Sequence, residues 1–385
     1  MRSVLRATMA LFMFCAVILI GSAPISASTQ ARQAAGWQSG KYQHIFIIMM
    51  ENQGVRDIIG NTADAPYINW LATHYSISLD YYGVTHPSSP NYLASISGNF
   101  YVWDDCPAGA NVTCAPQEFG PTAGYTNGLE LLTPQEIATS SNTPHMFSAQ
   151  NIVDQLEAHG LTWKAYMQSM PYAGYTGADY PIINGKPEAL YVQKHNPFEY
   201  FSDIRNNPAR MQKIVPFTQL AADLSSGNVP NYVWISPDTC HDMHGMSTAG
   251  AAAVGEPNCA YPPAGVSHAL IQAGDSFLRS TVAEIMHSSA WSQRSAIVIT
   301  WDEDDFSSYN GCCHSPTGMY GVTLGGSDAP FIAITSKSND RVVDYTTPYN
   351  HYSLLATIEK LWGLGCLQNA CGFSDDQLMT KFFES

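Results

Sequence analysis

Three short apolar runs in this chain each end at side chains that bind metals or move protons. The run from His44 to Met50 stops at Glu51-Asn52. The run from Asn231 to Ser236 leads through Pro237 to Asp238, His241, Asp242 and His244, and the run from Ser295 to Thr300 leads through Trp301 to Asp302-Glu303-Asp304-Asp305. Continuous runs of this length, rich in Ile and Val, predict strands buried on both faces, as in a parallel sheet covered by helices. Such sheets bind ligands beyond the carboxyl ends of their strands. Three strands would then bring carboxylates and imidazoles to one edge, which is what a metallohydrolase requires.

The rest of the chain supports that frame. Helical spacing is read over Ala65 to Thr73, over Phe147, Ile152, Val153 and Leu156, over Leu270 to Ile285 and over Tyr352 to Trp362, with further strands at Leu161 to Met167 and Ala329 to Thr335. Strands alternating with helices predict a three-layer α/β/α sandwich with a mostly parallel central sheet. One domain over 32–385 is the simpler reading, because a break near Gly227 would place the first and third acidic clusters in different domains. The Gly-, Pro-, Asn- and Ser-rich stretch 99–144 reads as a long loop or cap.

Arg2 and Arg6 precede an apolar stretch from Ala7 to Ile20 and a run of small residues, the pattern of a secretory signal (1–31) cleaved near Ala27 or Ala31. The protein is therefore expected to be secreted or periplasmic, with no stable membrane association once cleaved. The whole chain has a formal charge of −15, and losing two arginines with the signal makes it more acidic. That balance argues against nucleic acid as a partner, so a phosphate-bearing substrate must be attracted locally, by a metal or a few cations. Eight cysteines follow the signal, an even number that suggests disulfides in an exported chain. Cys106 with Cys114, and Cys366 with Cys371, are plausible small-loop pairs, and a bridge from Cys240 would pin the second acidic segment.

Thr85-His86-Pro87-Ser88-Ser89-Pro90-Asn91-Tyr92 is a proline-bounded turn entering a helix. A serine there is surrounded by unpaired backbone N–H groups suited to a phosphate oxygen, although most serines at such places simply cap the helix. His86 reads as a structural residue bonding within the turn. Glu51-Asn52 is either a metal-binding pair or a solvated strand end. Asp304 and Asp305 read as supporting or solvated acids rather than ligands.

Taken together, Glu51-Asn52, His86 to Tyr92, Lys194 to Pro197, Asp242 to His244 and Asp302-Glu303, in that order, resemble the phosphoesterase family. That family contains bacterial and fungal acid phosphatases and bacterial and plant phospholipases C, and it belongs to the alkaline-phosphatase-like superfamily. The resemblance implies that Ser88 is a nucleophile that becomes phosphorylated. It implies that Glu51, Asn52, Asp302, Glu303 and the Ser88 oxygen hold one divalent metal ion. Lys194, Asn91 and Asp242 are placed on the substrate phosphate, and His195 and His244 in catalysis, one of them protonating the leaving group. Imidazolium forms below about pH 6.5, so these histidines would favour an acid optimum. His351 stands where superfamily members with two metals place a late ligand, though a capping or core role serves equally. His241 replaces the asparagine usual before Asp-x-His. Ser88 in Pro-Ser-x-Pro-Asn-Tyr favours an acid phosphatase acting on phosphomonoesters, with a phospholipase C or other phosphodiesterase as the alternative. A catalytically silent binding protein on the same scaffold is the competing class, and intact Ser88, Glu51 and Asp302 speak against it.

Overall fold

Every residue of the run His44–Met50 is buried, and it forms the strand about which the rest is arranged. The computed structural model describes residues 42–100, 117–119, 126–128, 146–262, 267–316, 323–337 and 340–383. The expected signal, the Cys106/Cys114 pair and most of the 99–144 stretch lie outside them. The elements that position the site are, in chain order, β1 (His44–Met50), α1 (Pro66–His74), β2 (Ser76–Ser78), α2 (Ser88–Ser97), α3 (Ile152–Ala158), β3 (Trp163–Met167), β4 (Ile214–Pro216), α4 (Gln219–Ser226), β5 (Tyr232–Ser236), α5 (His268–His287), β6 (Ser295–Trp301), β7 (Phe331–Thr335), β8 (Val343–Asp344) and α6 (His351–Trp362).

The strands form one eight-stranded sheet in the order β8-β2-β7-β6-β1-β5-β3-β4. Strands β6, β1, β5, β3 and β4 are mutually parallel, with Met50 opposite Trp301 and Ile48 opposite Ile235. β1, β5 and β6 are buried along their whole lengths, so apolar side chains are covered on both faces of the sheet. One helical group packs α2 against α3 and α6, and another packs α1 and α4 against α5. This is the α/β architecture with a mostly parallel central sheet that the apolar runs predict.

Strand β7 is antiparallel to both β6 and β2. One expectation is corrected: Phe147, expected on the face of α3, instead bridges to Phe201 outside that helix. Helix α3 starts at the Asn151 cap, whose side chain accepts from the Val153 amide.

α3 also delivers Glu157 to a cationic corner beneath β3. Its carboxylate accepts from Lys213 Nζ at 2.7 Å, Trp163 Nε1 at 2.9 Å and Arg210 Nε at 3.0 Å. Partial burial pushes the carboxyl up, but those donors outweigh it and hold it at about 2. A depressed carboxyl stabilises the fold above its unfolded value and loses that contribution as pH falls through the folded value. Glu157→Gln is therefore expected to lower the urea midpoint at neutral pH, the difference from wild type vanishing as pH falls from about 4 to about 2. A difference independent of pH would refute this account.

Candidate active site

The carboxyl ends of β1, β5 and β6 meet as the runs predict. The Glu51 amide donates to the Asp242 carbonyl at 2.8 Å, and the Asp302 amide donates to the Met50 carbonyl at 3.0 Å. Asn52 turns the chain away from β1 with φ +47°, a left-handed conformation that asparagine tolerates. Its amide donates to Asp302 Oδ1 at 3.1 Å, linking the first and third clusters.

Ser88 is the first residue of α2 and is buried, so its hydroxyl faces the strand ends at the positive pole of a ten-residue helix. Its Oγ lies 3.0 Å from Glu51 Oε2, 3.1 Å from Glu303 Oε1 and 3.4 Å from Asn52 Oδ1. One hydroxyl proton can serve only one of these three oxygens. Asp302 Oδ2 adds a buried carboxylate oxygen without a hydrogen-bond partner among the described residues. Glu51, Asp302 and Glu303 are all fully buried. The Asp302 carboxyl is pushed well above the carboxylate range by burial and by the charge of Glu51. Oxygen donors in surplus over protons, in a dry negative site, are the donor set of a hard divalent cation. The residues present fit such an ion.

His195 stands on the other side of Glu51. Its Nε2 lies 3.0 Å from Glu51 Oε1, and its Nδ1 lies 3.1 Å from Asp242 Oδ2. The ring stacks on Tyr92 of α2 with centroids 5.2 Å apart, and its carbonyl accepts from Ser236 Oγ at 2.8 Å. Asp242 Oδ1 accepts the His244 amide at 2.7 Å. Asp242, expected on the substrate phosphate, thus stands behind both histidines and orients them.

His244 departs from expectation. Its Nδ1 lies 2.8 Å from the Gly245 carbonyl, which fixes the proton there and leaves Nε2 to accept from Lys194 Nζ at 3.3 Å. Burial and the neighbouring Lys194 and His195 hold its pKa well below the ordinary histidine value. With Nδ1 bonded to the Gly245 carbonyl and Nε2 accepting from Lys194, both of its ring nitrogens are engaged in this arrangement. Ligand atoms of Glu51, His195 and His244 lie within 4.8 Å of one another, a second grouping able to hold a cation. The Cys240–Cys259 disulfide closes this loop. Paired bonds between Met246 and the 259–261 backbone bring Tyr261 Oη to 3.2 Å from His244 Nδ1.

The remaining candidates support this centre from outside. Asn91 accepts the Val84 and Thr85 amides at 2.8 and 3.1 Å and donates to the Thr85 carbonyl at 2.6 Å. Its amide is committed to the turn before Ser88, not to substrate. His351 donates from Nε2 to the Asp302 carbonyl at 2.7 Å and accepts from Tyr81 Oη at Nδ1, 2.8 Å away. Burial pushes it down to about 4, and with both nitrogens engaged it holds the Asp302 peptide rather than a metal. His241 pairs with Asp238 at 2.7 Å outside the cluster. Asp304 lies 3.4 Å from His86 Nε2, and Asp305 pairs with Arg56 at the surface.

Two contributors escaped the sequence reading. His86 does not bond within its own turn: Nδ1 reaches Glu303 Oε2 at 2.5 Å, and Nε2 donates to the Ser308 carbonyl at 3.0 Å. It therefore orients a carboxylate that touches Ser88. A Cβ on Gly83 would lie 2.6 Å from the Asp302 carbonyl oxygen, so only glycine lets the backbone there pass so close. The signal for His86 was its place two residues before the candidate nucleophile.

A buried serine at a helix N-terminus, ringed by carboxylates that follow two parallel strands, is the centre of this α/β protein. Residues 61–258 and 262–365 match the sequence profile of the Phosphoesterase family, and the chain belongs to that family. A probable acid phosphatase of Kluyveromyces lactis is 24% identical over 340 residues, covering 88% of this chain and 62% of its own length. The chain thus spans less than two thirds of that relative. A phosphatidylinositol-3-phosphatase of Mycobacterium tuberculosis is 26% identical over 327 residues, 84% of this chain and 78% of its own. Among solved structures, an alkaline phosphatase superfamily protein from Vibrio parahaemolyticus aligns over 87% of this chain and 71% of its own, at 12% identity and a TM-score of 0.46.

Proposed function

We propose that this chain is an exported, metal-dependent phosphoric ester hydrolase, an acid phosphatase that cleaves phosphomonoesters through a phosphoserine on Ser88. The observation that carries the reading is the single hydroxyl of Ser88 crowded by oxygens of Glu51, Glu303 and Asn52 at the start of α2. Glu51, Asn52, Glu303 and Asp302 would hold one divalent ion, which when bound favours the alkoxide of Ser88 and offsets charge on the phosphoryl oxygens. Ser88 Oγ forms a bond to phosphorus as the bond to the ester oxygen breaks. Water then releases phosphate from the serine. The backbone N–H groups opening α2 and the Lys194 ammonium face the phosphoryl group, with His244 holding Lys194. His195, oriented by Asp242, carries the proton between solvent and the leaving or attacking oxygen.

The similarity to a phosphatidylinositol-3-phosphatase over most of both chains favours one second reading, a lipid-borne monoester as substrate. Export rests on the N-terminal signal pattern, and among the described residues no helix is long and apolar enough to cross a membrane. The deciding experiment compares nitrophenyl phosphate, its bis-ester, phosphatidylinositol 3-phosphate and phosphatidylcholine under one set of conditions. Both monoesters are expected to turn over at least about tenfold faster than either diester. Preference for phosphatidylcholine would install phospholipase C instead, and no turnover of any of the four would end the hydrolase reading.

A further inference from the structure

Lys194 and His195 occupy a tight turn, and what fixes that turn is a buried carboxylate the mechanism does not use. Gln193–His195 and Pro197–Tyr200 are consecutive 3-10 turns joined at Asn196. Beneath them, Glu199 is fully buried. Its Oε1 accepts from Asn196 Nδ2 at 3.0 Å and faces Tyr191 Oη at 3.4 Å. Its Oε2 accepts from Gln193 Nε2 at 2.5 Å and from Arg205 Nη1. Gln193 and Asn196 are the residues immediately before and after Lys194–His195. One carboxylate therefore holds both ends of the two-residue segment that carries the candidate phosphate-binding and proton-carrying groups.

Four donors converge on this carboxylate, so its place in the fold is that of an acceptor. Burial opposes the charge and raises the carboxyl to about 7, with Arg205 as the counter-charge pulling the other way. A buried ion pair is costly unless each lone pair is engaged, and it is more often a device of geometry than of stability. Here the geometry has an evident object. A carboxylate bonded to both Gln193 and Asn196 ties down the turn between them, and phosphoryl transfer depends on close placement of the groups such a turn carries.

We infer that Glu199, with Arg205 as its partner, is the positioning pair that aims Lys194 and His195 at the substrate phosphate. This rests on the phosphoesterase reading above. Glu199→Gln keeps the size of the side chain but sets an amide donor against donors from Gln193 or Asn196. Far-UV circular dichroism is expected to stay near wild type and the thermal midpoint to fall, because Arg205 loses its counter-charge, while kcat/KM for nitrophenyl phosphate falls by about 10- to 100-fold and the inhibition constant for inorganic phosphate rises. In a Lys194→Met, His195→Ala background the same substitution is expected to change residual turnover by less than about threefold, because the groups it aims are gone. Should Glu199→Gln fail to fold, Arg205→Met, which leaves the carboxylate in place without its partner, is read by the same cycle. Undiminished kcat/KM, or an equal fractional loss in both backgrounds, overturns the inference. Failure of the wild-type protein to hydrolyse any phosphate ester would instead remove the reading it rests on.

Discussion

Ser88→Ala is expected to lower turnover of nitrophenyl phosphate by about 10⁴- to 10⁶-fold, the loss typical when a covalent nucleophile is deleted. The size follows from position. Ser88 Oγ lies within 3.1 Å of two buried carboxylates carried by separate strands, with the Asn52 amide oxygen 3.4 Å away. Ser89, one residue further along α2, is nearly as buried, but at 3.6 residues per turn it stands on a different face of the helix. Ser89→Ala should therefore cost far less. A second readout separates chemistry from binding: acid quenching during turnover of phosphorus-labelled substrate should trap label on the wild-type chain and none on Ser88→Ala. Retention of more than about a tenth of wild-type activity by a well-folded Ser88→Ala protein, or label trapped on it, would sink the phosphoserine route.

Much of this centre was legible in the sequence because parallel strands make it so. β1, β5 and β6 are neighbours in register, so the residues that follow their apolar runs must meet at one edge, and Glu51, Asp242 and Asp302 do. Direction was not legible. Phe331–Thr335 is four apolar residues and a threonine, a run that reads the same either way, and β7 is antiparallel. The short strands β2, β4 and β8, two or three residues long, carry no period to read. Side-chain roles were legible only as far as spacing carries them. Asn91 belongs to the right motif, but its neighbours are backbone groups six and seven residues earlier, at Thr85 and Val84. His86 and Glu303 are 217 residues apart, and no local pattern announces their contact. The charge state of His244 depends on Lys194, 50 residues away, and on burial. It leaves His195, oriented by Asp242, as the candidate proton carrier.

Exhaustive chelation is expected to reduce monoester turnover by at least about 10³-fold, with recovery on adding back a divalent ion. The argument is one of charge. Glu51, Asp302 and Glu303 are fully buried around one hydroxyl, and at the neighbouring strand end burial and the charge of Glu51 push the Asp242 carboxyl well above its ordinary range. Like charges this close in a dry site destabilise one another unless a cation or protons offset them. A bound ion should therefore also stabilise the fold, since a ligand that binds only the folded state raises its stability by mass action. The thermal midpoint is expected to fall by several degrees on chelation, and to fall much less in Asp302→Asn, where the site has one charge fewer and binds the ion weakly. Direct metal analysis should find about one equivalent in the wild-type protein and substoichiometric metal in Asp302→Asn. A chain that keeps its activity, its thermal midpoint and no bound metal after chelation would leave protons as the neutralising charges, with the oxygens around Ser88 acting as a base cluster rather than as ligands.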